Sequence, residues 1–174
     1  MQPKKELVVR NEEILKKVKA LSKQITKDYA GRTPIFIGIL KGAFIFLADL
    51  VRNVELPVKI DFVRLASYGE KDYSTGEVKL VKDVEIPLKG EDVIIVEDIV
   101  DTGYTLDFLI KHLKKKQPAS LKICALIDKP ERREVEIKID YIGFKLSGFL
   151  VGYGLDFNEQ YRSLPDIYRL IFND

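Results

Sequence analysis

Apolar and polar positions alternate along this chain in a way that predicts an α/β fold. Four short apolar runs, bounded by polar turns, are typical of buried strands: 34–40, 58–65, 93–96 and 121–127. Apolar residues at helical spacing predict a helix over 11–30, with Asn11 as its cap, and another from Leu106 to about Lys116. Residues 43–51 are apolar almost all round, so we expect both sides of this segment to be covered, one of them by a second subunit.

The stretch from Val93 to Leu106 carries the clearest chemistry. Its apolar run predicts a short strand, and two acids, Glu97 and Asp98, follow at the carboxyl end of that strand. A third acid, Asp101, opens a small polar turn, after which the helix begins. A strand, a glycine-containing turn and a helix form half of a βαβ unit, and ligands of such sheets bind at the carboxyl ends of the strands.

The polar turn suits a phosphate monoester. Three of its residues present backbone N–H groups and hydroxyls at a helix N-terminus, which is an anion site: Thr102, Gly103 and Thr105. The nearby acids would repel a phosphate unless they had other partners. Glu97 and Asp98 are therefore candidates to bind sugar hydroxyls or a hard cation, which leaves Asp101 for proton transfer. The turn is neither a Walker A loop nor a Rossmann fingerprint, because both glycine patterns are absent.

The thirteen residues from Val93 to Thr105 resemble the phosphoribosyl-diphosphate (PRPP) signature of type I phosphoribosyltransferases. Glu97 and Asp98, followed by Ile-Val-Asp-Thr-Gly, point to the hypoxanthine/guanine branch of that family. A buried strand with a capped helix and incidental acids would explain the pattern without any function, but the length and order of the match favour the family. The resemblance covers nearly the whole chain, from about Val9 onward.

The resemblance implies a fold and a domain plan. We expect a doubly wound α/β fold with a mainly parallel central sheet, and a small hood over the site built from C-terminal and N-terminal segments. Residues 1–174 would form a single domain, with the core over about 34–130 and the hood mainly over 131–165 plus the N-terminal segment. Short aromatic-rich pieces of the tail, such as 141–144, would belong to the hood, and 167–172 would return as a last strand.

The same resemblance implies roles for individual residues. PRPP or the nucleotide would be bound by Lys41, Gly42, Glu97, Asp98, Ile99, Val100, Asp101, Thr102, Gly103, Tyr104, Thr105 and Arg162. The purine would contact Lys129, Phe149 and Leu150. Magnesium would be held by Asp156, Glu97 and Asp98. A mobile lid would include Ser67, Tyr68 and 74–76, and a non-proline cis bond would precede Lys41.

The implied reaction is transfer of 5-phosphoribosyl from PRPP to N9 of hypoxanthine or guanine, which gives IMP or GMP and diphosphate in purine salvage. Asp101 would act as general base or acid at purine N7. Mg²⁺ would stabilise the leaving diphosphate, and Lys129 would donate to the 6-oxo group. A preference for xanthine or for guanine alone stays open, because Gly148 and Leu150 depart from the usual neighbours of Phe149. Tyr104 likewise replaces the small polar or basic residue usual in the phosphate turn.

Two other classes of protein stay open. A regulatory, nucleotide-sensing, RNA-binding relative would share the PRPP fold, but a net charge of only +2 argues against nucleic acid as the main partner. A receiver-type signalling module would also be doubly wound with acids at strand ends. Such a module needs an acid pair after its first strand and a phospho-acceptor after its third, whereas the acids here cluster after one strand.

Composition adds little beyond the class of protein. The 174 residues are 46% hydrophobic and 32% charged, which is ordinary for a globular domain. The single cysteine, Cys124, excludes an internal disulfide and fits a reducing compartment. The sequence shows no signal peptide and no long apolar run, so we expect a cytoplasmic protein without a membrane partner. We also expect a homodimer or homotetramer, and a surface position for the lone histidine, His112.

Overall fold

The computed structural model describes residues 3–68 and 77–172 of the chain. Its helices are α1 (Asn11–Asp28), α2 (Phe44–Asn53) and α3 (Tyr104–Lys114), and a 3-10 turn covers Pro130–Arg132. Its strands are β1 (Lys4–Val9), β2 (Ile35–Leu40), β3 (Lys59–Tyr68), β4 (Glu77–Lys82), β5 (Asp92–Val100), β6 (Ser120–Asp128), β7 (Tyr141–Lys145), β8 (Leu150–Val151) and β9 (Ile167–Ile171). A helix that could span a membrane is not found in the described ranges.

A six-stranded sheet runs through the centre of the molecule in the order β4-β3-β2-β5-β6-β7. Neighbouring strands in it are parallel, except that β3 and β4 pair antiparallel. Strand β5 is apolar on both faces: Ile94 and Val96 belong to the buried cluster formed with α1 and α2, whereas Val93 and Ile95 belong to the cluster formed with α3. The predicted doubly wound α/β fold with a mainly parallel sheet is confirmed.

The strand order reverses between β2 and β5. From β2 the chain passes through α2 to β3 on one side, and from β5 it passes through α3 to β6 on the other. The loops that follow these two neighbouring strands therefore leave in opposite directions and open a crevice at the carboxyl ends. Sheets of this class bind their ligands in such a crevice.

A second sheet, ordered β1-β9-β8, joins strands from the N-terminal and C-terminal segments, from which the hood was predicted. Its pairings are antiparallel, and Val9, Leu150 and Ile167 from its strands lie in the same buried cluster as α1 and α2. The prediction that 141–144 belong to the hood is wrong, because β7 pairs parallel with β6 at the edge of the central sheet. Parallel neighbours are usually joined by a helix, which leaves a helical pattern in the sequence. Here only a 3-10 turn and a loop join β6 to β7, so the sequence carries no such signal.

Helix α1 begins differently from the prediction. Arg10 occupies the cap position, and its backbone N–H donates to the Glu13 carboxylate at 3.0 Å. Asn11 instead donates from its backbone to Asp166 at 2.7 Å and from its side chain to the Pro165 carbonyl at 2.9 Å. The residue predicted to cap the helix therefore ties α1 to the chain segment that enters β9.

Candidate active site

Two adjoining cavities lie at the carboxyl ends of β5 and β6. The larger, of about 410 Å³, is lined by Asp98, Ile99, Asp101, Lys129, Arg132, Gly148, Phe149, Leu150, Leu155 and Asp156. The smaller, of about 160 Å³, is lined by Glu97, Ile99, Val100, Asp101, Thr102, Gly103, Thr105 and Leu106. Ile99 and Asp101 line both cavities. Residues predicted to bind phosphate, purine and metal thus share one crevice, with Asp101 at the junction.

Glu97 and Asp98 lie inside β5, and the prediction that they follow the strand is wrong, because Ile99 and Val100 continue the ladder with β6. Glu97 accepts a hydrogen bond from the backbone N–H of Asp98 at 3.0 Å, and Asp98 accepts one from that of Ile99 at 2.8 Å. Burial raises the pKa of both carboxyl groups, and the charge of Asp98 raises that of Glu97 further. A cation or hydroxyl donors beside this pair would favour its ionised form.

Gly42, in the loop after β2, packs directly against this acid pair. A Cβ atom at Gly42 would overlap the carboxylate of Asp98, and a Cβ atom at Gly154 would overlap the carbonyl oxygen of Gly42. The peptide bond between Leu40 and Lys41 is cis, as the resemblance implied. The loop after β2 is therefore held between β5 and the turn that follows β8, with no room for side chains at either glycine.

The turn between β5 and α3, with the start of the helix, lines the smaller cavity with Thr102, Gly103 and Thr105. Gly103 has a φ of +100°, a left-handed conformation that glycine adopts without strain, and it forms the N-cap of α3. The hydroxyl of Tyr104 donates to the Glu134 carboxylate at 3.0 Å on the surface, and this side chain does not line the smaller cavity. Tyr104, which departs from the family pattern, therefore adds no side chain to this cavity.

Lys129 follows β6 directly and is only 6% exposed. Its backbone N–H donates to the carbonyl of Val100 at 3.0 Å, which places the lysine beside the turn that carries Asp101. Burial lowers the pKa of Lys129, while the charge of Asp101 opposes that shift. Arg132, to which the sequence analysis gave no role, has its Nε 2.9 Å from Oδ1 of Asp101. The larger cavity therefore has two cationic groups close to the Asp101 carboxylate.

Phe149 forms an aromatic wall of the larger cavity and is 44% exposed. Its ring meets those of Phe157 and Phe172 edge to face, with centroid distances of 5.5 and 5.8 Å. Neither Phe157 nor Phe172 was assigned a role from the sequence. Phe157 was detectable as the neighbour of Asp156, whereas only the return of β9 beside β8 brings Phe172 to this place.

Asp156 and Arg162 pair in the loop between β8 and β9, where Nη2 of Arg162 lies 3.0 Å from Oδ1 of Asp156. Arg162 also donates to the carbonyl of Gly154 at 2.8 Å. Glu159 joins this group to the loop after β2, since it accepts from Nζ of Lys41 at 2.6 Å and lies 3.4 Å from Arg162. The hydrogen bond from Lys41 is the main cause that lowers the pKa of Glu159. Lys41 and Arg162, both predicted to bind the diphosphate, thus meet at one carboxylate that the sequence analysis missed.

The predicted lid lies mostly outside the described residues. The backbone of Ser67 and Tyr68 is at the end of β3, paired with β4, and 74–76 are among the residues not described. Among residues 3–68 and 77–172, no cluster of three His, Cys, Asp or Glu side chains is close enough to hold a metal ion. Asp98 and Asp156 nevertheless line the same cavity.

Comparison with known proteins gives the family. The family model of the phosphoribosyl transferase domain matches residues 6–158. The hypoxanthine-guanine phosphoribosyltransferase of Bacillus subtilis is 43% identical over 162 residues, which cover 92% of this chain and 90% of that protein. The enzyme of the same name from Lactococcus lactis is 48% identical over 160 residues, covering 91% and 87% of the two chains.

Solved structures agree with this result. The crystal structure of a hypoxanthine-guanine phosphoribosyltransferase from Bacillus anthracis superposes with a TM-score of 0.92 and 44% sequence identity, covering 95% of this chain and 98% of that one. The superposition therefore leaves little of either chain uncovered. The chain belongs to the phosphoribosyltransferase family, as the signature over residues 93–105 indicated.

Proposed function

We propose that this protein transfers the 5-phosphoribosyl group from PRPP to N9 of hypoxanthine and guanine and releases diphosphate. The observation that carries the proposal is the larger cavity, in which Asp101, Lys129 and Phe149 line one space. A carboxylate for proton transfer, a cationic donor and an exposed aromatic ring are the groups that an oxopurine with a reacting ring nitrogen needs. The adjoining smaller cavity, at the N-terminus of α3, suits the 5′-phosphate.

Asp101 is the group that we assign to proton transfer. In the reaction the bond from C1′ to diphosphate breaks, the bond from C1′ to N9 forms, and the purine loses one proton. Asp101 lies where the two cavities meet, so its carboxylate can reach a purine whose ribose and phosphate occupy the smaller space. Glu97 and Asp98, inside β5, would accept hydrogen bonds from the ribose hydroxyls.

Magnesium fits the donor set of the site. Carboxylate oxygens are the ligands that Mg²⁺ prefers, and it is usually bound by one or two carboxylates together with substrate phosphates. Asp156, and Glu97 and Asp98 across the ribose site, would supply those carboxylates. When bound, Mg²⁺ would neutralise charge that develops on the leaving diphosphate. Main-chain donors at Lys41 and Gly42 and the guanidinium of Arg162 would contact the same leaving group.

The choice of base would rest on Lys129. Its ammonium group donates to a 6-oxo group and repels the 6-amino group of adenine. A hydrogen bond to a charged group contributes about 1.5–3 kcal/mol, which is enough to make adenine a poor substrate. Phe149 would stack on the ring, and the backbone of Leu150 would read its edge.

A single assay tests this function. The purified protein is supplied with PRPP, Mg²⁺ and, separately, hypoxanthine, guanine, xanthine or adenine, and nucleotide formation is followed. We expect IMP and GMP from the first two bases and far slower turnover with adenine. Rapid turnover of xanthine alone, or of guanine alone, would replace the base preference proposed here, and no product with any base would refute the transferase activity.

We also propose that the protein forms a homodimer or homotetramer. Phe44 at the start of α2 and Ile60 on β3 are both 43% exposed although they are large and apolar. A contiguous patch of such side chains is typical of a surface that a second subunit covers, and we propose that Phe44 and Ile60 belong to one. Light scattering of the purified protein at several concentrations would give the mass, and a monomer at all of them would contradict the proposal.

A further inference from the structure

Arg133 lies just after the 3-10 turn and binds the main chain behind the phosphate turn. Its Nε donates to the carbonyl of Asp101 at 3.0 Å, and its Nη2 donates to the carbonyl of Val100 at 3.3 Å. The same Nη2 donates to the carboxylate of Asp128 at 2.5 Å. The side chains of Arg133 and Asp128 are 16% and 9% exposed, so this charge pair is largely shielded from water.

The next carbonyl in the chain is held from the same side. Thr102 O accepts from the backbone N–H groups of Glu134 at 2.9 Å and Val135 at 3.1 Å. Three successive carbonyl groups, those of residues 100–102, are therefore bound by the segment 133–135. A stretch of chain whose carbonyls are all held by one neighbour has a defined orientation of its peptide planes.

Orientation of a carbonyl fixes the amide that follows it. In a trans peptide the C=O and the N–H of the next residue point in opposite directions within one plane. When the carbonyls of 100–102 point towards the segment 133–135, the N–H groups of 101–103 point away from it. Among the described residues, the lining of the smaller cavity comes from within 97–106 and none of it from 133–135, as expected if these N–H groups face the cavity.

We propose that Arg133 is a positioning residue for the phosphate site, acting through the main chain without touching the ligand. Its planar guanidinium group binds two carbonyls at once. The N–H groups of Asp101 and Thr102 therefore already face the phosphate site before the ligand binds. Asp128 balances the charge of Arg133 and holds its guanidinium group in place. The inference rests on the proposed function, because it needs a phosphate monoester in the smaller cavity.

The test compares a ligand that has the phosphate with one that lacks it. Binding of IMP and of inosine is measured by calorimetry for the wild type, for Arg133→Gln and for Arg133→Lys, together with the KM values for PRPP and hypoxanthine. Lysine keeps the positive charge that pairs with Asp128, but its ammonium group cannot reproduce the planar guanidinium that binds two carbonyls at once. Arg52→Gln on α2 is the matched control, because the same change there affects a side chain that is 72% exposed.

Loss of pre-oriented amides should weaken phosphate binding specifically. For Arg133→Gln we expect an IMP affinity about tenfold lower, a similar rise in KM for PRPP, and inosine affinity and KM for hypoxanthine almost unchanged. Arg133→Lys should show an intermediate loss, and Arg52→Gln none. A structural role alone would lower the melting temperature of the protein and leave the ratio of IMP to inosine affinity unchanged.

The outcomes separate this inference from the proposed function. An unchanged IMP-to-inosine ratio in a folded Arg133→Gln protein overturns the positioning role, and if that protein does not fold, an unchanged ratio in Arg133→Lys does so. If the wild type prefers IMP to inosine but makes no nucleotide from PRPP, the proposed activity is refuted, while the test of Arg133 by IMP and inosine binding remains valid. If the wild type shows no preference for IMP, both the proposed function and the role of Arg133 are overturned.

Discussion

The two halves of the crevice are built in different ways. The half that we propose for the phosphate, the phosphate half, comes from one continuous stretch, 97–106, in which a strand, a turn and a helix follow each other. The half that we propose for the base, the base half, collects Lys129 after β6, Phe149 before β8 and Asp156 in the loop after it. The first half can be recognised from the sequence by itself, whereas the second exists only when distant segments meet.

The halves also differ in what holds them. In the phosphate half, the backbone N–H groups of 129, 134 and 135 and the side chain of Arg133 donate hydrogen bonds to successive carbonyls of the turn. In the base half, Phe149 contacts two other aromatic rings, and Arg162 is held by ion pairs and one carbonyl. We therefore expect substitutions in the phosphate half to reduce turnover and PRPP binding, and substitutions in the base half to alter affinity for the base and the choice between bases.

Asp101 lies at the junction of the halves, and Asp101→Asn should have the largest effect. The amide has the size of the carboxylate but cannot accept a proton, so kcat should fall by roughly 10²–10⁴-fold while IMP binding survives. Asp107→Asn on α3, where the acid pairs with Lys111 on the surface, is the matched control. Steady-state kinetics with hypoxanthine measure the effect. Near-normal turnover of Asp101→Asn would remove this residue from the chemistry.

Gly42→Ala should have the next largest effect, through the acid pair. The added methyl group would overlap the Asp98 carboxylate, so either Asp98 or the loop after β2 must move. Displacement of reacting groups by about 1 Å can cost roughly 10²-fold, and we expect a loss of that order in kcat/KM for PRPP.

Gly90→Ala is the control for Gly42→Ala. Residues 3–68 and 77–172 place no atom within 4 Å of the added Cβ, although a φ of +75° makes the change strained. That variant should lose stability and keep its kinetic constants, as measured by thermal melts alongside the assay. Equal kinetics for Gly42→Ala and the wild type would mean that the Asp98 carboxylate needs no fixed position.

The sequence predicted the strand, the turn and the helix of the phosphate half for a physical reason. Strand, turn and helix signals are local, and an ordered run of acids and hydroxyl groups such as 97–105 keeps its meaning without tertiary contacts. Even there the prediction ended the strand too early, because the pairing of Ile99 and Val100 with β6 is a property of the sheet.

The base half shows what local patterns miss. Its predicted residues came from the family resemblance, and the contacts around them were invisible in the sequence. Glu159 meets Lys41 across 118 residues, and Arg133 binds carbonyls 32 and 33 positions away. The wrong prediction for 141–144 has the same cause, because their place at the edge of the central sheet depends on pairing with β6.

Lys129→Met should change the choice of base more than the rate. Methionine has a similar length without the charge, so the bond to the 6-oxo group and the repulsion of adenine are lost together. The ratio of kcat/KM for hypoxanthine to that for adenine should fall about 10–100-fold. Burial lowers the pKa of Lys129. In the wild type, the preference for hypoxanthine over adenine should therefore also weaken as pH rises through this pKa, because Lys129 loses its charge. Unchanged rejection of adenine by Lys129→Met would mean that another group reads position 6.

Phe172→Ala removes aromatic contacts that support Phe149 in the base half, and it should have the smallest effect on the kinetics. An edge-to-face aromatic pair contributes about 0.5–1.5 kcal/mol, and Phe172 makes such contacts with Phe149 and, at 5.5 Å, with Phe157. Without them the Phe149 ring is less fixed for stacking, so KM for hypoxanthine should rise about 2–10-fold. KM for PRPP should stay the same, because the phosphate half has its own main-chain supports. Ile171→Ala, the preceding residue, serves as the control, and a parallel rise in both KM values would show that the two halves are not independent.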